Sequence, residues 1–354
     1  VKTVLPYILI LLAINAFAQV ENAGMTDRND SIELGKVNLK GYVDIYYGQH
    51  FTNDNTPATR AYAVSSASLN QVALNLAYID VKYQNSHVRA RFIPGVGTYV
   101  NTNYATEPGT LANIIEANVG LKLSSSKDIW IDAGVIGSPF TNETPFSKDQ
   151  LLYTRSHSAE FSPYYLTGVR INASLTEKLN CYLYIINGWQ KIADDNASKA
   201  IATQLEYRPT NKLLINWNTY YGKEIYNLAG NQGVRLFTDI YAIYNPTPKW
   251  SFTSCFYIGN QKRNDSIQLK ENSNWWQANI MGQYSLSTKN SLSARLEYME
   301  DLDGIVTGNS FKDFSYSACW NLKITNNALF RLEARNYTNN AIEPLVIGNI
   351  TVWF

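Results

Sequence analysis

Residues 328–338 read Ala-Leu-Phe-Arg-Leu-Glu-Ala-Arg-Asn-Tyr-Thr, with Phe330, Leu332 and Ala334 alternating with Arg331, Glu333 and Arg335. A strand sends successive side chains to opposite faces, so this segment has one greasy face and one charged face. The same rhythm sets Leu39, Gly41, Val43, Ile45 and Tyr47 against Lys40, Tyr42, Asp44 and Tyr46. It sets Ile115, Ala117, Val119, Leu121 and Leu123 against Glu116, Asn118 and Lys122, and Val169, Ile171, Ala173 and Leu175 against Arg170, Asn172 and Ser174.

Carried along the chain, the pattern predicts sixteen strands: 37–48, 69–84, 87–98, 112–123, 129–138, 164–176, 179–189, 199–209, 212–223, 233–245, 250–259, 274–287, 290–300, 311–324, 328–338 and 345–354. Merging or splitting weak strands would make the count fourteen or eighteen. The connections alternate between short turns, such as Asn85-Ser86 and Glu177-Lys178, and long loops, the longest being 139–163. Short turns at one end and long loops at the other mark an all-β, up-and-down antiparallel barrel of the outer-membrane type. Aromatic residues gather near strand ends (Tyr46, Tyr47, Trp189, Tyr220, Tyr221, Tyr244, Trp250, Trp275, Trp276, Tyr337, Trp353) and suggest girdles at the water–lipid boundary. The last strand closes on Phe354, a terminal aromatic of the kind read during barrel assembly.

The energetics fix the orientation. Turning 328–338 over would aim Arg331 and Arg335 at lipid, at roughly 2–4 kcal/mol each near the bilayer midplane. The charged faces therefore point inward, and the sheet must close, because lipid offers nothing to an unpaired peptide group. A closed sheet of this size encloses a lumen.

Composition agrees. The 354 residues carry a net charge of +1, with 45% hydrophobic, 17% charged and 13% aromatic residues, a balance that suits neither a disordered chain nor a nucleic-acid binder. Cys181, Cys255 and Cys319 lie far apart without a CxxC, which excludes a disulfide scaffold or zinc ribbon; they read as small wall residues. Residues 1–18 read as a secretory signal peptide: basic Lys2, an apolar stretch, then Ala16-Phe17-Ala18, with cleavage expected between Ala18 and Gln19. Residues 19–36 read as a polar periplasmic lead-in, and 37–354 as the barrel.

The block Asn142-Glu143-Thr144-Pro145, Ser147-Lys148-Asp149-Gln150, Tyr153-Thr154-Arg155-Ser156, then Pro163-Tyr164, Gly168-Val169-Arg170 and Asn187-Gly188-Trp189, resembles the β-barrel porin-2 (OmpL-like) family of Gram-negative outer membranes. Gly41-Tyr42-Val43-Asp44, Arg295-Leu296-Glu297-Tyr298, Asp301 and Arg331-Leu332-Glu333-Ala334-Arg335 fit it too, and the likeness spans nearly the whole mature chain. Gln150 departs from the pattern, where Asn is expected. The resemblance implies an outer-membrane barrel that passes small solutes.

Candidate lumen residues are Lys40, Asp44, Arg89, Arg91, Glu116, Asp132, Arg170, Glu206, Arg235, Asp239, Arg295, Glu297, Arg331, Glu333 and Arg335. Opposite charges two residues apart, as in 295–297 and 331–335, also suit an ion-pair lattice in the wall. Loop 139–163 carries Glu143, Lys148, Asp149, Arg155, His157 and Glu160 and could fold inward as a constriction, its charges selecting by sign and size. Its alternative place is over the mouth. Ser156-His157-Ser158 near Asp149 or Glu160 has the residue types of a hydrolase site, but neighbours in one loop diverge, and His50 and His87 stand alone. No spacing suggests a metal.

The expectation is a channel for passive diffusion of small hydrophilic solutes or ions, with no reaction catalysed and no cofactor. Its partners would be outer-membrane lipid and the barrel assembly machinery, with a homo-oligomer compatible and no nucleic acid. The alternatives are a plugged structural or adhesive barrel and a barrel hydrolase; an energised receptor would need about 22 strands and a plug.

Overall fold

The computed structural model describes residues 35–51, 56–225, 230–262 and 272–354. The expected signal peptide, its expected Ala18–Gln19 cleavage site and nearly all of the expected lead-in lie outside the described residues.

Sixteen strands form one closed antiparallel sheet. They are β1 (Lys36–His50), β2 (Val72–Gln84), β3 (Val88–Val96), β4 (Ile114–Lys122), β5 (Ile129–Gly137), β6 (Tyr165–Thr176), β7 (Leu179–Ile186) and β8 (Ala200–Thr210). The second half comprises β9 (Leu213–Ile225), β10 (Gln232–Thr247), β11 (Trp250–Lys262), β12 (Asn272–Ser285), β13 (Asn290–Asp301), β14 (Phe311–Thr325), β15 (Ala328–Tyr337) and β16 (Leu345–Trp353). Each pairs with its sequence neighbour, and β16 closes on β1 through pairs such as Ile45↔Ile350 and Val43↔Val352. Phe354 and Gly41 exchange both backbone hydrogen bonds at 3.1 Å, so the terminal aromatic stands on the seam.

The period-2 pattern becomes two chemically distinct surfaces. On β14, Phe311, Asp313, Ser315, Ser317, Cys319 and Asn321 turn inward and are buried, while Phe314, Tyr316 and Trp320 face outward and are exposed. Val43 is 40%, Ile171 37% and Leu332 44% exposed, so among the described residues no second layer covers the apolar face. Apolar side chains left bare on a closed wall require lipid as their solvent.

The expected girdles need correction. Tyr47, Tyr221, Tyr244 and Trp250 do face outward, and Trp250 packs with Tyr284 at 4.6 Å. Tyr46, Tyr220, Trp275 and Tyr337 point into the barrel and are buried there, and Trp189 packs among them. Strand geometry is the reason: in the pairs Tyr46-Tyr47, Tyr220-Tyr221 and Trp275-Trp276, one ring of each must take the inner face.

Among the described residues the long connections carry little regular structure: one short helix, α1 (Thr98–Asn103), 3-10 turns at Gly109–Asn113 and Ser147–Asp149, a single helical turn at His157–Glu160, and a two-stranded hairpin pairing Ala58-Thr59 with Ser68-Leu69. Where β1 meets β2 the register shifts after Asp44, leaving Asn75 unopposed. The Asn75 side chain donates to Asp44 at 2.9 Å and accepts the Ser66 N–H at 2.8 Å, tying the first long loop to the wall. Gly134 and Gly168, partners across β5 and β6, have φ of 128° and 155°. A Cβ there would lie 2.1–2.2 Å from a neighbouring carbonyl oxygen, so only glycine fits.

Replacing Leu332, at the middle of β15, by arginine is expected to destabilise the barrel in lipid by about 2–4 kcal/mol. Denaturant titration of the barrel refolded into vesicles measures this; an unchanged midpoint would mean that Leu332 does not face lipid.

Candidate functional site

The connection from β5 to β6, residues 138–164, does not cover the mouth. It folds into the barrel, and most of its side chains are buried. A buried loop carries peptide groups that need partners. The inner wall supplies them from nine consecutive strands, β9 through β16 and β1.

Asn218 on β9 donates to the Pro139 carbonyl at 3.0 Å, and Asp239 on β10 accepts the Thr141 N–H at 2.5 Å. Asn142 donates to Thr253 on β11 at 3.0 Å and to Asn279 on β12 at 3.1 Å; Asn279 in turn donates to Ser158 at 2.8 Å. On β13, Glu297 accepts the His157 N–H at 2.6 Å and Arg295 donates to the Thr154 carbonyl at 2.7 Å. On β14, Asp313 bonds His157 Nε2 at 2.8 Å. On β16 and β1, Thr351 and Tyr42 both bond the Ser147 hydroxyl, at 3.1 and 2.7 Å.

The charged face of β15 is the centre of this seat. Arg331 donates to the carbonyls of Ser147 (2.6 Å), Gln150 (3.0 Å) and Leu152 (3.4 Å). Glu333 accepts the N–H groups of Tyr153 and Thr154, each at 2.8 Å, and the Thr154 hydroxyl at 2.6 Å. Arg335 donates to the Arg155 carbonyl at 2.8 Å and pairs with Glu297 at 2.7 Å. The side chains of Arg295, Glu297, Glu333 and Arg335 are wholly inaccessible, and the ion pairs Arg295–Glu297 (2.9 Å) and Arg295–Glu333 (3.4 Å) link them. The ion-pair lattice and the loop seat are therefore the same residues.

This divides the candidate lumen residues. Asp44, Arg235, Asp239, Arg295, Glu297, Arg331, Glu333 and Arg335 face inward but are buried away from water, most of them beneath the loop. Lys40 is exposed at the short-turn end of β1, and Glu206 is partly exposed on β8, paired with Arg208 at 3.0 Å. Arg89, Arg91 and Arg170 remain partly open on β3 and β6. Arg89 and Arg170 share Asp132, at 2.6 and 2.8 Å, and Arg91 bridges Asp80 and Glu116, both at 2.9 Å. Arg89 also lies over the Trp130 ring at 4.4 Å. These arginines, with Lys82 and Glu116, line a cavity of about 380 Å³ whose opposite side is the loop itself, at Glu143, Pro145, Phe146 and Tyr164.

The loop candidates take different parts. Arg155 turns back on its own loop, donating to the carbonyls of Thr144 (2.7 Å), Tyr153 (2.8 Å) and Pro145 (3.3 Å). Glu143 accepts the Ser156 N–H at 2.8 Å and its hydroxyl. Glu160 accepts the Val64 and Ser65 N–H groups, at 2.7 and 3.3 Å, joining the first long loop to this one. Lys148 and Asp149 pair with each other at 2.7 Å at the accessible edge. Ser156 bonds Glu143 and Ser158, while the His157 ring bonds Asp313, so the serine–imidazole contact of a hydrolase is not formed. Asp313, Asn279 and Asn218 were not among the sequence candidates. All three lie on inward faces of their strands and were legible by alternation, but only as polar wall.

His157 is sealed among Phe311 (5.2 Å), Phe161 (6.1 Å) and Tyr337 (6.2 Å). Burial lowers its pKa below the usual imidazole value, with Glu297 and Asp313 opposing and Arg335 assisting. A carboxylate only accepts, so the neutral ring carries its proton on Nε2, and the buried Nδ1 has no hydrogen-bond partner. Protonation would add an N–H with nowhere to go. The undocked loop thus binds the proton more readily than the docked one, and docking weakens as pH falls through about 6.5. Glu160, whose carboxyl burial pushes up, works in the opposite direction at lower pH.

Two outcomes are expected. Glu333→Ala leaves two loop N–H groups unanswered and costs docking about 3–5 kcal/mol, the scale for removing one partner of a buried charged network; protease cleavage within 144–158 of the folded barrel reads it. Cleavage of the native loop rises between pH 7.5 and 5.5, and His157→Gln, which keeps a donor to Asp313 but does not titrate, flattens that rise. A pH-independent native loop would contradict the assignment.

Comparison with known proteins places this geometry. The profile of the family described as "Putative beta-barrel porin-2, OmpL-like" matches residues 36–349. A search of curated protein sequences finds no match. Among solved structures, the outer membrane channel DcaP of Acinetobacter baumannii superposes with a TM-score of 0.62 at 11% identity, covering 94% of this chain and 100% of that one. OmpF of Salmonella typhi, in a complex with daunomycin, gives 0.62 at 12% identity over 93% and 100%. A trimer form of in-vitro folded OmpT, an outer membrane protein of Vibrio cholerae, gives 0.60 at 10% over 91% and 100%. At such identities the likeness is one of fold.

Proposed function

Because the chain belongs to the OmpL-like β-barrel porin-2 family, we propose that it is an outer-membrane channel for passive diffusion of small hydrophilic solutes, narrowed by loop 139–163 to a path along β2–β6. The observation that carries this reading is the asymmetry of the inner wall. From β9 round to β1 the wall is spent on holding the loop, whereas Arg89, Arg91 and Arg170 keep water access and border the 380 Å³ cavity opposite Glu143. On this wall Arg89, Arg91 and Arg170 are paired with Asp132, Asp80 and Glu116, so the passage is lined by charges of both signs rather than by one.

No reaction is involved; the barrel lowers a permeation barrier by replacing lipid with polar groups. In this reading the chain is exported by its signal peptide, cleaved after Ala18, and assembled in the outer membrane of a Gram-negative bacterium by the barrel machinery, with Phe354 in the assembly signal. The trimer form of one structural neighbour supports a homo-oligomer. The tight seating of the loop favours a second reading, a barrel closed at rest.

Planar-bilayer recording of the purified protein in a salt gradient tests both. The expected result is a small conductance that rises severalfold when residues 144–158 are deleted, and an ion preference that moves toward cations in Arg89→Ala/Arg91→Ala. A folded deletion variant with unchanged conductance would overturn the constriction. Liposomes that fail to swell in small sugars with the native protein but swell with the deletion variant would favour the barrel closed at rest.

A further inference from the structure

On the long-loop side of the inward loop lies a second cavity, of about 370 Å³. Glu160, Phe161 and Ser162 of the inward loop line it, with Trp189, Gln190, Lys191 and Asp195 of the β7–β8 connection. Glu224, Ile225 and Arg235, from the long-loop ends of β9 and β10, and Ile305 and Val306 complete the lining.

Arg235 differs from the other buried arginines. The terminal nitrogens of Arg155 and Arg331 donate to peptide carbonyls, and Arg295 and Arg335 pair with carboxylates as well as donating to loop carbonyls. Arg235 is 5% exposed, and its one hydrogen bond runs from Nε to Gln261 Oε1 at 2.9 Å. Its guanidinium is held over Trp189 (5.1 Å) and Trp275 (5.5 Å), and no described carboxylate comes within ion-pair distance. Arg235 lines the cavity, and its two terminal nitrogens have no protein acceptor among the described residues. A buried guanidinium in that state is costly unless something anionic arrives.

Glu224 borders the same cavity and is also 5% exposed. One carboxylate oxygen, Oε1, takes the Tyr220 hydroxyl and the Trp189 N–H; the other has no described donor. Arg235 and Glu224, each the other's nearest strong charge, therefore line one small cavity without a direct ion pair, beside the apolar side chains of Phe161, Ile305 and Val306.

We propose that this cavity is a binding site for small zwitterionic solutes, amino acids or short peptides, with the solute carboxylate on the Arg235 Nη groups, its ammonium on Glu224 and its side chain on the apolar patch. Bidentate guanidinium–carboxylate pairing suits the first contact. A simple anion such as phosphate fits worse, because Glu160 and Glu224 border the same space, while Lys191 there is paired with Asp195 at 2.7 Å. A sugar fits worse, because Trp189 offers no free platform: Phe140 stacks on it at 5.9 Å and Arg235 lies over its ring. The site would give the proposed channel its substrate class, but binding itself does not depend on conduction.

Calorimetric titration of the full-length barrel in detergent with L-alanyl-L-alanine is the test. Saturable binding is expected. N-acetylation or C-terminal amidation of the peptide should each weaken it by about tenfold or more, the scale of one charge-assisted contact. Arg235→Gln should erase the difference between the free peptide and its amide, and Glu224→Gln the difference between the free and acetylated peptides. No saturable heat with a native barrel of normal heat-modifiable mobility would overturn the proposal, as would equal binding of the blocked peptides or tighter binding of inorganic phosphate or glucose. Conductance plays no part in this readout, so failure here is separable from failure of the channel reading.

Discussion

A peptide group taken out of water must find a partner, and most of this structure follows from that. In the wall the partners are neighbouring strands, which is why the sheet closes with Gly41 and Phe354 hydrogen-bonded on the seam. Inside the wall the problem returns, because a 27-residue connection between β5 and β6 enters the lumen. The barrel answers with side chains: carboxylates where the loop presents N–H groups, arginines where it presents carbonyls. Glu333 and Arg331, two residues apart on one face of β15, make the division of labour plain.

The strand architecture was legible because the constraint on it is local. Lipid outside and polar groups inside impose alternation on every strand, and sixteen segments of the expected extent appear. The aromatic rings were harder, because position along a strand says how deep a ring sits and parity says which face it takes. Tyr220 and Tyr221 share a depth and differ in everything else.

The site was half legible. Alternation put Arg295, Glu297, Arg331, Glu333 and Arg335 on the inner face, and the length and charge of loop 139–163 marked it as a candidate for inward folding. The missing piece was that these two sets of residues meet. Thr154 and Glu333 are 179 positions apart, and no rule of spacing links them. The contrast between Arg331, spent on carbonyls, and Arg235, left facing a cavity, was likewise invisible, since both read as inward arginines on alternating strands. Charge identifies a lumen residue; only its neighbours decide whether it meets water, a loop or a solute.

The seat on nine strands also orders the events of assembly. The loop is made early in the chain, between the fifth and sixth strands, yet its anchors come from β9 to β16 and from β1 across the seam. Until those later strands are in place, Arg331 lacks the loop carbonyls it binds and the Tyr153–Thr154 peptide lacks Glu333 and Arg295 to dock on. Insertion of the loop is therefore a closing act, and its docked form serves as a latch that registers completion of the wall.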